Sequence, residues 1–113
     1  MITIAVVLEE SGLLKSCNIQ GHAGAGKRGT DIVCAAVSVL ARTALAVLGE
    51  KDGIIVRGSA PRRGELSLEA EALSAEGKDF LDTAGTFLIK GLSSVAQEYP
   101  QYCSLTITKL RRN

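Results

Sequence analysis

The segment Asp31–Leu48, DIVCAAVSVLARTALAVL, constrains the fold more than any other part of the sequence. It is compatible with a helix throughout, and after Asp31 it carries no charged residue before Arg42. Thr30 predicts the N-cap of this helix, and Gly49 predicts its end. A helix with so few charged side chains needs cover on most of its faces. We therefore predict a helix that is buried on most sides.

Strand patterns surround this helix. Hydrophobic and polar residues alternate over residues 2–8, which predicts a strand, and most clearly over residues 65–72, where four leucine and alanine side chains alternate with glutamates and a serine. Ser74 predicts the N-cap of a second helix, which Pro100 stops. The element order is β-β-α-β-β-α-β, and the predicted fold class is α+β, with two helices packed on a largely antiparallel sheet. The predicted strands are residues 2–8, 13–20, 53–58, 65–72 and 103–110.

Composition and charge narrow the classes of function. The formal net charge of the 113 residues is +1, and the chain has two Phe, two Tyr and no Trp. Bulk attraction to nucleic acid or to an anionic membrane is therefore not expected, and stacking of single-stranded bases is not expected either. The N-terminal residues show no basic leader or cleavage site, and we expect no apolar run of membrane-spanning length. These features predict a cytoplasmic protein that binds no membrane.

Four of the nine residues in Gly21–Gly29 are glycine, and this segment spells two nucleotide-binding motifs incompletely. Residues 21–27 match the phosphate-binding loop G-x-x-x-x-G-K, but Arg28 stands where that motif needs Ser or Thr. Residues 24–29 match the dinucleotide motif G-x-G-x-x-G, which belongs in a parallel β-α-β unit. Because hairpins flank the segment here, both matches are weak.

The glycine-rich segment also carries the chain's single histidine, His22, and Cys34 is predicted to lie in the first turn of the following helix. A thiol becomes a nucleophile when a neighbouring group lowers its pKa, and an imidazolium does so in cysteine proteases. The alternative is a small buried cysteine and a solvated histidine. Zinc binding is a third use of these residue types, but Cys17, Cys34 and Cys103 form no close ligand pair.

Asp31, Cys34, Ser38 and Arg42 are spaced to lie along one stripe of the helix. In a catalytic site, Asp31 would orient the imidazole and Ser38 would support the site by hydrogen bonding. Otherwise Asp31 interacts with the helix dipole, the Ser38 hydroxyl bonds back to its own helix, and Arg42 is a surface charge. The residues leave both interpretations open.

The string GHAGAGKRGTDIVCAAVS, residues 21–38, resembles the ribosomal-processing cysteine protease family, the Prp or YsxB-like proteins of bacteria. The resemblance lies in a Gly-His-Ala start, a glycine-rich loop, and the run Gly-x-Asp-Ile-Val-Cys-Ala-Ala-Val-Ser. It implies that residues 1–113 are a single cysteine protease domain. It also implies a cytoplasmic endopeptidase that removes an N-terminal extension from a large-subunit ribosomal protein during ribosome assembly. Such an enzyme is expected to need no cofactor, to read no nucleic acid directly and to form a homodimer.

Residue by residue, the resemblance implies Cys34 as the nucleophile and His22 as its general base and later acid. Asp31 and Ser38 match the family motif as supporting residues. The resemblance also implies that the Gly21–Gly29 loop orders over the substrate peptide. Its middle departs from the aromatic or acidic residues common in the family, so we expect a different cleavage-site preference. The expected substrate-loop residues are Gly21, Ala23, Gly24, Gly26, Lys27, Arg28 and Gly29.

The alternative function is a non-catalytic, ribosome-associated binding module of the same fold. Its basic pairs, Lys27–Arg28, Arg62–Arg63 and Arg111–Arg112, would contact RNA or an acidic partner. The same pairs are also ordinary solubility charges in turns and at a terminus.

Overall fold

A computed structural model describes residues 1–21, 28–62 and 65–111 of the chain. Two β-hairpins are each followed by a long helix, and a fifth strand follows the second helix. The elements are β1 (Ile2–Leu8), β2 (Leu14–Gln20), α1 (Arg28–Gly49), β3 (Ile54–Ser59), β4 (Leu66–Ala72), α2 (Ala75–Glu98) and β5 (Cys103–Lys109).

The five strands form one sheet in the order β3-β4-β2-β1-β5. All neighbours pair antiparallel except β1 and β5, which run parallel with Ile2 beside Cys103. The parallel pair arises because α2 carries the chain back across the sheet before β5 begins. The predicted α+β class, with two helices on a largely antiparallel sheet, is confirmed.

Alternation along the strands separates the two faces of the sheet. In β1, Ile2, Ile4 and Val6 are buried whereas Thr3 and Ala5 are exposed, and β4 repeats the pattern. The buried face packs on α1 and α2, and the core combines strand residues with apolar residues from one side of each helix. The polar residues of the outer face stay in water, as is common for antiparallel sheets.

The start of α2 agrees with the sequence prediction. Ser74 is its N-cap, and the Ser74 hydroxyl accepts a hydrogen bond of 3.0 Å from the backbone N–H of Gly77. The helix ends at Glu98, two residues before Pro100, and Tyr99 caps it. Pro100 cannot continue the backbone ladder, so the chain turns there towards β5.

The prediction that α1 is buried on most sides is wrong. In the segment Ile32–Gly49 only five of 18 residues are buried, and Val39 is 65% exposed. This segment has a mean hydropathy of 2.1, so its length and composition suit a membrane span, contrary to the sequence expectation. That is weak evidence by itself, because a helix that contributes to a soluble core passes the same test. Composition shows that a helix is apolar, but it does not show what covers each face of the helix.

Candidate active site

Cys34 is placed by α1, which begins earlier than the sequence predicts. The helix starts at Arg28 and includes Gly29, so these two expected loop residues are helical. Thr30 is therefore inside the helix and is not its N-cap. The error arose because cap preference and the low helix propensity of glycine are weak signals, worth about 1 kcal/mol each.

The early start moves Cys34 away from the end of the helix. Cys34 is the seventh residue of α1, in its second turn, and not in the first turn as predicted. At about 1.5 Å per residue, its Cα lies about 9 Å along the axis from that of Arg28. The field of the helix dipole falls off within the first turn, and the free backbone N–H groups are confined to the first four residues. At this distance neither feature of the helix N-terminus acts strongly on the Cys34 thiol.

The side chain of Cys34 lies in the hydrophobic core and is 1% exposed. Val33, Val37 and Ala41 are buried on the same side of α1, at the spacing of one helical face. A peptide carbonyl reaches this sulfur only after a rearrangement that exposes it. In the described conformation the Cys34 side chain is enclosed.

Gly21 lies at the start of the connection between β2 and α1, next to His22 in the sequence. It follows the last residue of β2, with a φ of +155°. A Cβ at this position would lie 2.5 Å from the backbone oxygen of Met1 and 2.6 Å from the Cα of Ile2. Only glycine allows this close approach, so the start of β1 fixes where the chain leaves β2.

Several predicted site residues lie outside the part of the chain that the structure describes. They are His22 and four of the expected loop residues, and for Asp31 only the helical backbone is described. Ser38 lies one turn beyond Cys34 and is half-buried, and Arg42 is exposed one turn further. The stripe thus runs from the core to the surface along α1. The loop residues outside the described ranges are Ala23, Gly24, Gly26 and Lys27.

The other two cysteines are also buried and free. Burial raises the pKa of the Cys17 thiol to about 11, and it raises the pKa of the Cys103 thiol as well. Both sulfurs therefore stay protonated at neutral pH, and a protonated thiol is a poor nucleophile. Cys17 and Cys103 pack as small apolar side chains.

The topology argues against both nucleotide motifs. β2, which precedes the glycine-rich segment, is flanked by β1 and β4, and it runs antiparallel to both. A dinucleotide fold needs a parallel β-α-β unit at this position. The helix does start directly after Lys27, as in a phosphate-binding loop, but Arg28 still replaces the Ser or Thr that would hold magnesium.

Sequence reasoning missed one surface, a groove between α1 and α2. It has a volume of about 480 Å³ and is lined by apolar and small side chains. The sequence does carry a signal for this surface, an excess of apolar residues in α1, but that excess predicts burial on most sides of the helix and not an open groove. Over residues 1–21, 28–62 and 65–111, no group of three or more His, Cys, Asp or Glu side chains is arranged to hold a metal ion.

Comparison with known proteins supports the resemblance seen in residues 21–38. A family model described as "Cysteine protease Prp" matches residues 1–104. No curated protein gives a significant match.

Solved structures reproduce the fold along nearly the whole chain. The SMU.848 protein of Streptococcus mutans is 23% identical, with a TM-score of 0.79, and the match covers 97% of this chain and 96% of that one. An essential ribosomal processing protease Prp from S. aureus, solved in complex with a substrate peptide, is 20% identical, with a TM-score of 0.78 and coverage of 96% and 100%. The same S. aureus protein with a covalently linked product peptide gives a TM-score of 0.77 at 20% identity, again covering 96% and 100%. The family match and the shared fold together place this chain in the cysteine protease Prp family.

Proposed function

We propose that this cysteine protease removes an N-terminal extension from a large-subunit ribosomal protein during ribosome assembly, with Cys34 as the nucleophile. The observation that carries the proposal is the position of Cys34 in the Asp-Ile-Val-Cys-Ala-Ala-Val-Ser string, inside the residues that match the family. The S. aureus protein of the same fold is a ribosomal processing protease that binds a substrate peptide. The activity of that protein and its bound peptide support a peptide substrate from a ribosomal protein for this chain.

The proposed reaction is acyl transfer through the Cys34 sulfur. The thiolate attacks the scissile carbonyl carbon, and the resulting tetrahedral intermediate collapses as His22 donates a proton to the departing amine. This leaves a thioester between Cys34 and the N-terminal fragment. His22 then takes a proton from water, the hydroxide attacks the thioester carbonyl, and the fragment leaves as a carboxylic acid while the thiol is regenerated.

The burial of Cys34 adds a step before this chemistry. Because the sulfur is 1% exposed, substrate binding must open the site before the carbonyl can approach. We expect a small alkylating reagent to modify Cys34 slowly in the free protein. In the same proposal Asp31 orients the imidazole, Ser38 supports the site by hydrogen bonding, and the enzyme acts as a homodimer in the cytoplasm.

The test is intact-mass analysis of the host's large-subunit ribosomal precursor after incubation with the protein. Wild type is expected to release one N-terminal fragment, whereas Cys34→Ala and His22→Ala release none. Cys103→Ala is the matched control, since Cys103 is a buried thiol of the same core, 2% exposed, and is expected to leave cleavage intact. Cleavage by Cys34→Ala at the wild-type rate would refute the nucleophile assignment.

Burial of Cys34 also favours a second candidate, a non-catalytic ribosome-associated module, because a thiol enclosed in the core can be simply a packing residue. This candidate predicts that neither wild type nor Cys34→Ala cleaves a precursor whose extension is present. It also predicts binding of the precursor or the ribosomal subunit that is equal for the two proteins.

A further inference from the structure

The first residue of β1, Ile2, is held more firmly than the end of a strand usually is. Its backbone N–H donates a hydrogen bond of 2.8 Å to the carbonyl oxygen of Tyr102, and it pairs in register with Cys103 at the start of β5. Its side chain is 1% exposed. Terminal segments fray at little cost in free energy. Three separate contacts at one terminal residue therefore mark a fixed point of the fold.

The turn that holds the start of β1 is itself anchored to the end of α2. The backbone N–H groups of Tyr102 and Cys103 both donate to the carbonyl oxygen of Tyr99, at 3.0 Å each. The Tyr99 N–H in turn donates to the carbonyl oxygen of Val95 at 2.9 Å. These hydrogen bonds form a continuous path from the last turn of α2 to the start of β1.

On its other side, Ile2 lies against Gly21, where the chain leaves β2. The antiparallel register pairs Thr3 with Gln20, so Ile2 and Gly21 are the next positions along the same two strands. A Cβ at Gly21 would lie 2.6 Å from the Cα of Ile2 and 3.2 Å from its Cγ1. Because no space separates the two residues, a displacement of Ile2 displaces Gly21.

One peptide bond joins Gly21 to His22, the proposed general base. Gly21 is therefore the point from which the chain continues to the imidazole. A general base must come within about 2.6–3.2 Å of the atom whose proton it takes. A misplacement of about 1 Å in a catalytic site lowers the rate by about 100-fold. The position of Gly21 thus bears directly on the proposed reaction.

We propose that Ile2 is a positioning residue for His22: the Tyr99–Tyr102 turn fixes Ile2, and Ile2 fixes Gly21. The role in catalysis rests on the proposed function, because His22 is a general base only in the protease. Among the side-chain atoms of Ile2, Cγ1 is the one that packs against Gly21. Alanine at position 2 lacks this atom, whereas valine keeps it and lacks only the terminal Cδ1.

Ile4 separates this role from ordinary packing. It is 0% exposed and lies in the same strand, on the same buried face as Ile2. It pairs with Ile19, two residues before Gly21 and further into the sheet. Ile4→Ala therefore removes the same atoms from the same core, but it leaves the contact with Gly21 in place. It is the matched control for Ile2→Ala.

Precursor cleavage, expressed per folded molecule, is the first measurement, with the folded fraction taken from urea unfolding. Ile2→Ala is expected to lower kcat at least about tenfold and to change KM less than about threefold, because a displaced general base slows the chemical step. Ile2→Val is expected to stay within about threefold of the wild-type kcat, and Ile4→Ala within about twofold. Equal losses of kcat in Ile2→Ala and Ile4→Ala would overturn the proposal.

Proton NMR of the His22 imidazole is the second measurement, and it does not need cleavage. His22 is the single histidine of the chain, so its Cε1–H resonance needs no assignment. In Ile2→Ala this resonance is expected to move towards its position in the urea-unfolded chain. In Ile2→Val and Ile4→Ala it is expected to coincide with wild type. An unmoved resonance in folded Ile2→Ala, or a wild-type resonance already at the unfolded position, would overturn the proposal.

The two measurements separate failure of this inference from failure of the proposed function. If wild type cleaves nothing while the His22 resonance follows the expected pattern, the protease proposal fails and Ile2 still positions His22. If wild type cleaves and the resonance does not move, the role of Ile2 alone fails. Gly21→Ala displaces the same contact from its other side and removes no core atom. It replaces Ile2→Ala if that variant does not fold, and an unmoved His22 resonance there would equally overturn the proposal.

Discussion

The chain contains two β-β-α units, and they differ most in how the second strand connects to the helix. In the second unit β4 ends at Ala72 and α2 begins at Ala75, so two residues suffice, and one of them is the N-cap Ser74. In the first unit β2 ends at Gln20 and α1 begins at Arg28, so the connection has seven residues, His22 among them. The connection between the second strand and the helix is therefore short in the second unit and long in the first.

The comparison extends to the helices. Cys34 is the seventh residue of α1 and Leu81 is the seventh residue of α2, and both are buried, at 1% and 0% exposure. One unit therefore places the proposed nucleophile at the position where the other unit places a packing side chain. In this interpretation, the second unit provides stability and the first unit carries the proposed chemistry within the same core.

Replacing Cys34 and Leu81 with alanine, one at a time, should have the largest effects and should separate catalysis from stability. Cys34→Ala is expected to lower precursor cleavage at least about 1000-fold, with a loss in unfolding free energy of about 1 kcal/mol. Leu81→Ala is expected to cost about 2–5 kcal/mol in unfolding free energy, because it leaves a cavity, while activity per folded molecule stays within about twofold. Urea unfolding and cleavage assays measure both. Equal losses of activity in the two variants would mean that the units do not divide these roles.

Gly21→Ala should have the next largest effect, because it disturbs the point where the expanded connection begins. The new Cβ meets the backbone of Met1 and Ile2, and the φ of +155° is strained for alanine. We expect a loss of about 1–3 kcal/mol in stability. Because His22 follows directly, a displacement of about 1 Å would lower kcat by about 100-fold.

Gly12→Ala is the control for this change. Gly12 also has a positive φ, +93°, but nothing lies within 4 Å of its Cβ position. It should lose stability through backbone strain alone and retain kcat. If Gly12→Ala lowers kcat as much as Gly21→Ala does, the effect is general destabilisation and not displacement of the connection.

The elements that the sequence predicts correctly are those with signals local to the backbone. The alternation in residues 65–72 placed β4 within one residue, and Ser74 was identified as a cap, because both signals are local to the backbone. The predicted start of α1 is too late because it depends on the cap preference of Thr30 and the low helix propensity of Gly29, and both signals are weak. The exposed face of α1 was missed for a different reason, since Val39 has the same hydropathy whether its cover is the chain itself or another molecule.

The Cys34 assignment shows the limit for the site. Its residue type and neighbours in sequence identified a candidate nucleophile, but its burial depends on contacts with strands distant in sequence. Spacing along the helix, by itself, placed Cys34 on one stripe with Ser38 and Arg42. It did not show that this stripe runs from the core to the surface.

The first unit also contains a second buried thiol, Cys17. In contrast to Cys34, we expect it to be inert. Its pKa of about 11 lies above the ordinary value of 9.0, so the folded chain favours the neutral thiol. The stability gained in this way is complete below pH 9, declines above it as the unfolded chain loses its proton, and is gone once pH exceeds about 11. The decline amounts to about 2–3 kcal/mol.

Unfolding free energies of wild type and Cys17→Ala, measured from pH 9 to pH 11, test this expectation. The variant lacks the titrating thiol, so the stability difference between the two proteins should shrink across that range. A constant difference would show that Cys17 ionises equally in the folded and unfolded chains. Cleavage by Cys17→Ala at neutral pH is expected to match wild type.

Ser74→Ala should have the smallest effect on stability, and that effect should be confined to the short connection between β4 and α2. It removes the hydroxyl that accepts the hydrogen bond from the Gly77 backbone N–H, which leaves one helical donor without its partner. The expected cost is about 1 kcal/mol in unfolding free energy, or roughly 4 °C in Tm. Precursor cleavage should not change, because the cap lies at the start of α2, not at the connection that leads to Cys34.

A Ser74→Asp variant, which keeps an acceptor at the cap, should recover most of the stability. Loss of cleavage in Ser74→Ala at a temperature where it is fully folded would show that the two connections are coupled, and that the second unit does more than support the first.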